Sequence, residues 1–219
     1  MDGTGELFAP LRAALPTGVA ATVVSYPSDG GHEELCARLR AALPAAEPYV
    51  LVAESFSGPL AIELAASRPA NLRGLVLVAT FARNPLLAPL RLLRPLACTA
   101  LFRVRPPRAL LRWLLLGSAA PPGLVDALCT VMRRSDPAIL AHRARQVFDV
   151  DVRRSLPAVA VPTLYLAGAR DRVVGLRGLA EIAAGLPALE SVVLDAPHLV
   201  LQARPAEAVR EITRFAARL

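Results

Sequence analysis

Three residues of this chain have the types and the order needed for covalent acyl chemistry: Ser55, Asp171 and His198. A serine hydroxyl is a weak nucleophile near neutral pH and needs a base within hydrogen-bond reach. Histidine suits that task by its ordinary pKa. A buried carboxylate must then hold the imidazole in one tautomer and stabilise its charged form. The chemistry implied is attack on a carbonyl carbon, with a tetrahedral oxyanion to be stabilised.

Each residue sits in a telling context. Ser55 lies in Leu51-Val52-Ala53-Glu54-Ser55-Phe56-Ser57-Gly58, a predicted strand running straight into a helix. Small residues stand two before and two after it, as a sharp strand–turn–helix elbow requires. The Phe56 amide then faces a developing oxyanion near the positive end of the helix. The outer positions are Ala53 and Ser57 where the usual elbow has glycines. Ser57 is a rival nucleophile, but Ser55 stands directly at the strand end. Glu54 reads as a surface or packing residue, not an acid catalyst. Asp171 follows the run Thr163–Ala167 (TLYLA) through a Gly turn, and His198 follows the last strand in LDAPHLVLQ. Alone, such an Asp is more often a turn or cap residue. Of the other two His, His32 opens a predicted helix and His142 lies in a helical stretch, and both read as surface or capping groups.

The elements that must position these residues follow from periodicity. Ala20–Tyr26, Tyr49–Ala53, Leu75–Ala79, Thr163–Ala167 and Ser191–Leu194 read as strands, and their near-continuous apolar character suits a sheet covered on both faces. Helices are predicted at Glu33–Leu43, Ser57–Ser67, Leu176–Leu186 and Pro205–Phe215. Alternation of strand and helix implies a mostly parallel α/β sheet with right-handed crossovers. The carboxyl ends of its strands are where ligand and catalytic groups collect. From Arg83 to about Leu156 no strand is predicted. This Leu-, Arg- and Pro-rich segment reads as a helical insertion, with helices near Leu124–Met132 and Pro137–Phe148. The expected plan is a core of 1–82 and 157–219 with a helical cap at 83–156.

On these motifs the chain resembles the α/β-hydrolase superfamily. The resemblance runs through YVLVAESFSGPLAIELA at the elbow, VPTLYLAGARDRVV around the acid and DAPHLVLQARPAEAVREITRF around the histidine. It implies an acyl-enzyme mechanism without cofactor, and it implies no particular substrate. Members usually carry strands before the first helix, one ending in a loop that gives a second oxyanion amide. Here the expected fold is amino-terminally truncated, and that amide falls at Met1 or Asp2. The expected activity is a serine carboxylesterase or thioesterase acting on an apolar acyl group. The alternative is a catalytically impaired binding protein that keeps the fold.

Composition narrows the setting. The chain has 219 residues, 54% of them apolar and 20% charged, so it suits one domain with a substantial core and excludes a disordered chain. Its net charge is +7, carried by Arg without any Lys. The arginines are scattered along helix faces, so nucleic acid is not an expected partner; an acidic acyl carrier is. Cys36, Cys98 and Cys129 show no CxxC pair and no Cys/His spacing typical of zinc, so no metal is expected, and buried free thiols in a cytoplasmic protein are. No secretory leader or spanning helix is predicted. Within Pro85–Leu116, Arg alternates with many Leu, plus Phe102 and Trp113. That suits ordinary packing helices, a lid over an acyl pocket, or, less favoured, an interfacial helix on anionic lipid.

Overall fold

The computed structural model describes residues 2–26, 30–86, 92, 94–117 and 120–219. A 3₁₀ turn (Glu6–Phe8) leads into α1 (Ala9–Ala13), and α2 (His32–Ala41) follows. Then come β1 (Tyr49–Glu54), α3 (Ser57–Ala66) and β2 (Leu72–Val78). Between β2 and the next strand the described residues form α4 (Thr99–Arg103), α5 (Arg108–Leu111), a π turn (Arg112–Leu116), α6 (Leu124–Arg134), α7 (Pro137–Asp149) and a 3₁₀ turn (Arg153–Ala158). The chain ends with β3 (Thr163–Gly168), α8 (Leu176–Gly185), β4 (Glu190–Leu194), α9 (Val200–Ala203) and α10 (Pro205–Ala216).

The four strands form one parallel sheet in the order β1-β2-β3-β4. Period-two alternation divides the core. Leu75 and Leu77 of β2 face one side with Leu51, Ala53, Tyr165 and Ala167, packed by Leu35 and Leu39 of α2, Leu60 and Leu64 of α3, and Ile182 of α8. Val76 and Val78 face the other side with Leu164, Leu166 and Leu194, packed by Val200, Ala208 and Phe215 and by Leu11 of α1. Each fully buried Leu or Val contributes roughly 1.5–3 kcal/mol of transfer free energy. The central strands β2 and β3 are buried almost throughout, which is why they read as unbroken apolar runs.

One predicted strand does not form. Ala20–Tyr26 has no strand assignment, and most of it is exposed. Its β-branched residues have the propensity, but a strand exists only when paired, and among the described residues no strand lies beside it. It is held instead by the Tyr26 amide, which donates to the Gly3 carbonyl at 2.7 Å. The other strands and the main helices lie within a few residues of expectation, as do α6 and α7. Asp136 caps α7 by accepting from the Ala138 amide at 2.7 Å, with Pro137 in the first turn.

The helical segment between β2 and β3 leaves and rejoins the sheet through a narrow neck. Val152 N donates to Ala82 O at 2.7 Å, Asn84 N donates to Val150 O at 3.1 Å, and Arg83 pairs antiparallel with Asp151. Its own small core gathers Leu111, Leu116, Leu124 and Leu128, with Leu7 and Leu199 against it. No described helix is long and apolar enough to cross a membrane. The three cysteines are free, but none is buried: Cys98 is exposed and the other two are half-buried.

Candidate active site

β1 ends at Glu54 and α3 begins at Ser57, leaving two residues to reverse the chain. Ser55 accordingly has φ 54°, a left-handed conformation that L-residues adopt only under constraint. Two bonds hold it. Its amide donates to Val78 O at 2.9 Å, and its carbonyl accepts from Thr80 Oγ1 at 2.6 Å. The position that tolerates no side chain is Gly58: a Cβ there would lie 1.9 Å from Thr80 Oγ1. Sequence reasoning placed the demand for smallness at Ala53 and Ser57, where a small side chain is accommodated.

The elbow presents Ser55 Oγ 2.9 Å from His198 Nε2. His198 Nδ1 lies 3.1 Å from both carboxylate oxygens of Asp171. Both side chains are almost wholly buried, at 4% and 2% exposure, so solvent does not compete for this contact. The Asp171 carboxylate also accepts from the Val173 and Val174 amides at 2.8 and 3.1 Å. Burial opposes its charge, but the His198 hydrogen bond and charge, with those two amides, outweigh burial and hold the carboxyl below its ordinary range. The bond to Asp171 sets Nδ1 as the protonated nitrogen and leaves the Nε2 lone pair toward Ser55.

The two loops carrying Asp171 and His198 touch because Gly168 has no side chain. A Cβ there would lie 2.4 Å from Pro197 O and 2.7 Å from Ala196 O. Ala169 N and Arg170 N bond to Leu194 O and Ala196 O across the gap. The π turn of the helical segment closes over the same loops: Leu199 N donates to Leu115 O at 3.0 Å, and Arg172 donates to Trp113 O at 2.6 Å with its guanidinium over the Trp113 ring.

Phe56 follows Ser55 into the first turn of α3 and is buried. Of the amino-terminal oxyanion candidates, Met1 lies outside the described residues. The Asp2 carboxylate accepts from the Thr4 amide and hydroxyl at 2.9 and 2.6 Å, and the adjoining Gly3 carbonyl is tied to Tyr26.

Two further residues support this site: Glu54, expected as a surface or packing residue and found to be the latter, and Arg143, which the sequence did not single out. Glu54 is buried; its carboxylate accepts from Leu201 N at 3.1 Å and Gln202 Nε2 at 2.7 Å, joining the elbow to the helix after His198. Arg143 of α7 is wholly buried, donates to Tyr26 O and lies over the Phe56 ring. A side chain at Gly3 would collide with it. Neither has a local motif; only tertiary placement reveals them. The other two histidines are not capping groups: His32 pairs with Glu63 at 2.7 Å and His142 with Gln146 at 3.0 Å.

The sequence matches the model of the alpha/beta hydrolase family over residues 3–212. No match was found among curated proteins. Among solved structures, a hydrolase from Pseudomonas aeruginosa PA01 is 23% identical with a TM-score of 0.72, over 91% of this chain and 76% of that one. A thermophilic esterase from Thermogutta terrifontis is 23% identical with a TM-score of 0.73, over 92% and 77%. The enol-lactonase from Burkholderia xenovorans LB400 is 19% identical with a TM-score of 0.76, over 99% and 88%. With a family match spanning nearly its whole length and a parallel sheet that carries the serine elbow, the chain belongs to the alpha/beta hydrolase family.

Proposed function

We propose that this protein is a serine hydrolase that cleaves carboxylic esters or thioesters of apolar acyl groups through an acyl-enzyme. The observation that carries the reading is the continuous chain from Ser55 Oγ to His198 Nε2 at 2.9 Å and from His198 Nδ1 to Asp171 at 3.1 Å. In this mechanism Ser55 Oγ attacks the carbonyl carbon while His198 takes its proton. Asp171 stabilises the resulting imidazolium. The Phe56 amide, with an amide at Asp2, receives the oxyanion. His198 returns the proton to the leaving alcohol or thiol, then activates water to release the acid.

The segment 83–156 serves as the cap. Its contacts with both catalytic loops and its exposed Leu101, Val104, Leu110 and Trp113 favour an apolar acyl chain. Two structural relatives are described as an esterase and an enol-lactonase, which agrees with carbonyl chemistry at an ester bond. The test is labelling with a fluorophosphonate probe, comparing the wild type with Ser55→Ala, followed by p-nitrophenyl esters of graded length. Labelling lost in Ser55→Ala and turnover that varies with chain length support the proposal. A folded wild type that does not label overturns it and leaves a binding protein that has kept the fold.

A further inference from the structure

Between α2 and α3, three side chains converge on one point. His32 and Cys36 stand four residues apart on α2, so both project from one face of that helix. Glu63 meets them from α3. His32 Nε2 lies 2.7 Å from Glu63 Oε2, and Cys36 Sγ lies 3.6 Å from the same oxygen. All three potential ligand atoms fall within 4.8 Å of one another. We propose that His32, Cys36 and Glu63 form a site for a thiophilic divalent cation of the zinc type, clamping α2 to α3.

The geometry and the charges agree. Zinc bonds of about 2.0–2.3 Å to nitrogen, oxygen and sulfur set tetrahedral ligand separations of roughly 3.3–3.7 Å. The 3.6 Å separation of Cys36 Sγ and Glu63 Oε2 lies in that range, while the direct 2.7 Å bond between His32 and Glu63 must open to admit the ion. A neutral imidazole, a thiolate and a carboxylate carry two negative charges, which one divalent cation cancels. His32 and Glu63 side chains are 30% and 37% exposed, leaving an approach for the ion and for a water as fourth ligand. Binding is balanced by one proton: neutral His32 keeps its proton on Nδ1 and presents Nε2, while Cys36 releases its thiol proton to solvent.

Without a metal, burial above all, then the Glu63 charge, pushes the Cys36 thiol up to about 12, so it is no reactive nucleophile at neutral pH. Spacing alone hid the cluster, because one ligand comes from a second helix 27 residues on from Cys36. Glu63 stands about 9 Å along α3 from its first residue, Ser57, and bonds to His32 and Cys36 rather than to the triad.

The test is titration of the chelator-treated full chain with Co²⁺, read by absorbance. The expected result is one Co²⁺ per chain, tetrahedral visible bands, a sulfur-to-cobalt charge-transfer band in the near ultraviolet, and loss of both on adding Zn²⁺. The Cys98→Ser/Cys129→Ser double variant, with Cys36 its only thiol, must keep the charge-transfer band, and Cys36→Ser must lose it. Loss of an outer-sphere partner alone weakens metal binding 10–100-fold, so His32→Gln and Glu63→Gln should each weaken it by about a hundredfold or more. Absence of Co²⁺ binding, an octahedral spectrum, or a charge-transfer band that survives in Cys36→Ser overturns the site.

Discussion

The Glu54 carboxylate accepts a hydrogen bond from Gln202 Nε2 at 2.7 Å, although the two residues are 148 positions apart. Glu54 precedes Ser55 and Gln202 follows His198, so this bond joins the two segments that bring Ser55 and His198 together. Removing the carboxylate orphans two buried donors, the Leu201 amide and the Gln202 amide. Glu54→Ala should therefore destabilise the protein by roughly 2–6 kcal/mol, from about 1–3 kcal/mol for each of the two unsatisfied buried groups. It should lower kcat/KM as well. Glu54→Gln should stay within about 1 kcal/mol, because Gln202 Oε1 has no hydrogen-bond partner and can turn to accept from the new amide. Burial, opposed by these hydrogen bonds, pushes the Glu54 carboxyl above its ordinary 4.5. A raised carboxyl loses stability as pH rises through its folded pKa. Glu54→Gln should therefore gain on the wild type between acid and neutral pH, as denaturant melts at graded pH will show.

Asp171 has the opposite sign. Its folded pKa lies below the ordinary 3.8, because the His198 and backbone hydrogen bonds outweigh burial. The stability it contributes is fully present above that ordinary value and is lost as pH falls through the folded pKa. Asp171→Asn should be less stable than the wild type at neutral pH, and the gap should narrow below about pH 4. Its turnover should fall by about 10⁴, the scale set when a triad aspartate becomes asparagine in a serine protease. Urea melts and ester hydrolysis on the same samples check both halves.

What the sequence made legible depended on whether a residue's role is local. β2 and β3 were readable because strands covered on both faces are continuous apolar runs, and the half-covered β1 and the mostly exposed edge strand β4 were readable from their short β-branched runs. Ala20–Tyr26 has the same local character and forms no strand, since pairing depends on a neighbour that periodicity does not reveal. Ser55, Asp171 and His198 were readable because each follows a strand and their order is distinctive. Glu54, Glu63 and Arg143 resemble any charged residue of an α/β chain. Their hydrogen-bond partners lie 148, 31 and 117 positions away.

Gly58 and Thr80 form the steric lock of the elbow. A Cβ on Gly58 would lie 1.9 Å from Thr80 Oγ1, the atom that holds the Ser55 carbonyl. Gly58→Ala must displace Thr80 and should cost about 1–3 kcal/mol as an overpacked site. Thr80→Ala removes the colliding oxygen along with its hydrogen bond. The double variant should therefore be more stable than the sum of the two single changes predicts, by roughly 0.5–3 kcal/mol in a thermodynamic cycle. Additive values would show that the two residues do not constrain each other.

Gly168 offers the sharpest separation of folding from catalysis. It ends β3, pairs with Leu194, and lets the backbone of Ala196 and Pro197 pass within 2.4–2.7 Å of where a Cβ would stand. Those atoms are carbonyls, which cannot swing aside as a long side chain does. Gly168→Ala must therefore push the histidine loop away from β3, and it carries His198 away from Asp171. The expected loss of stability is about 1–3 kcal/mol, typical of overpacking. A catalytic group moved by about 1 Å can lose a hundredfold in rate, so the fluorophosphonate labelling rate should fall by about that factor. A melting temperature that falls while the labelling rate holds would show that the triad keeps its geometry without this close approach. A labelling rate that collapses in a folded variant would place the alignment of His198 with Asp171 on this single glycine.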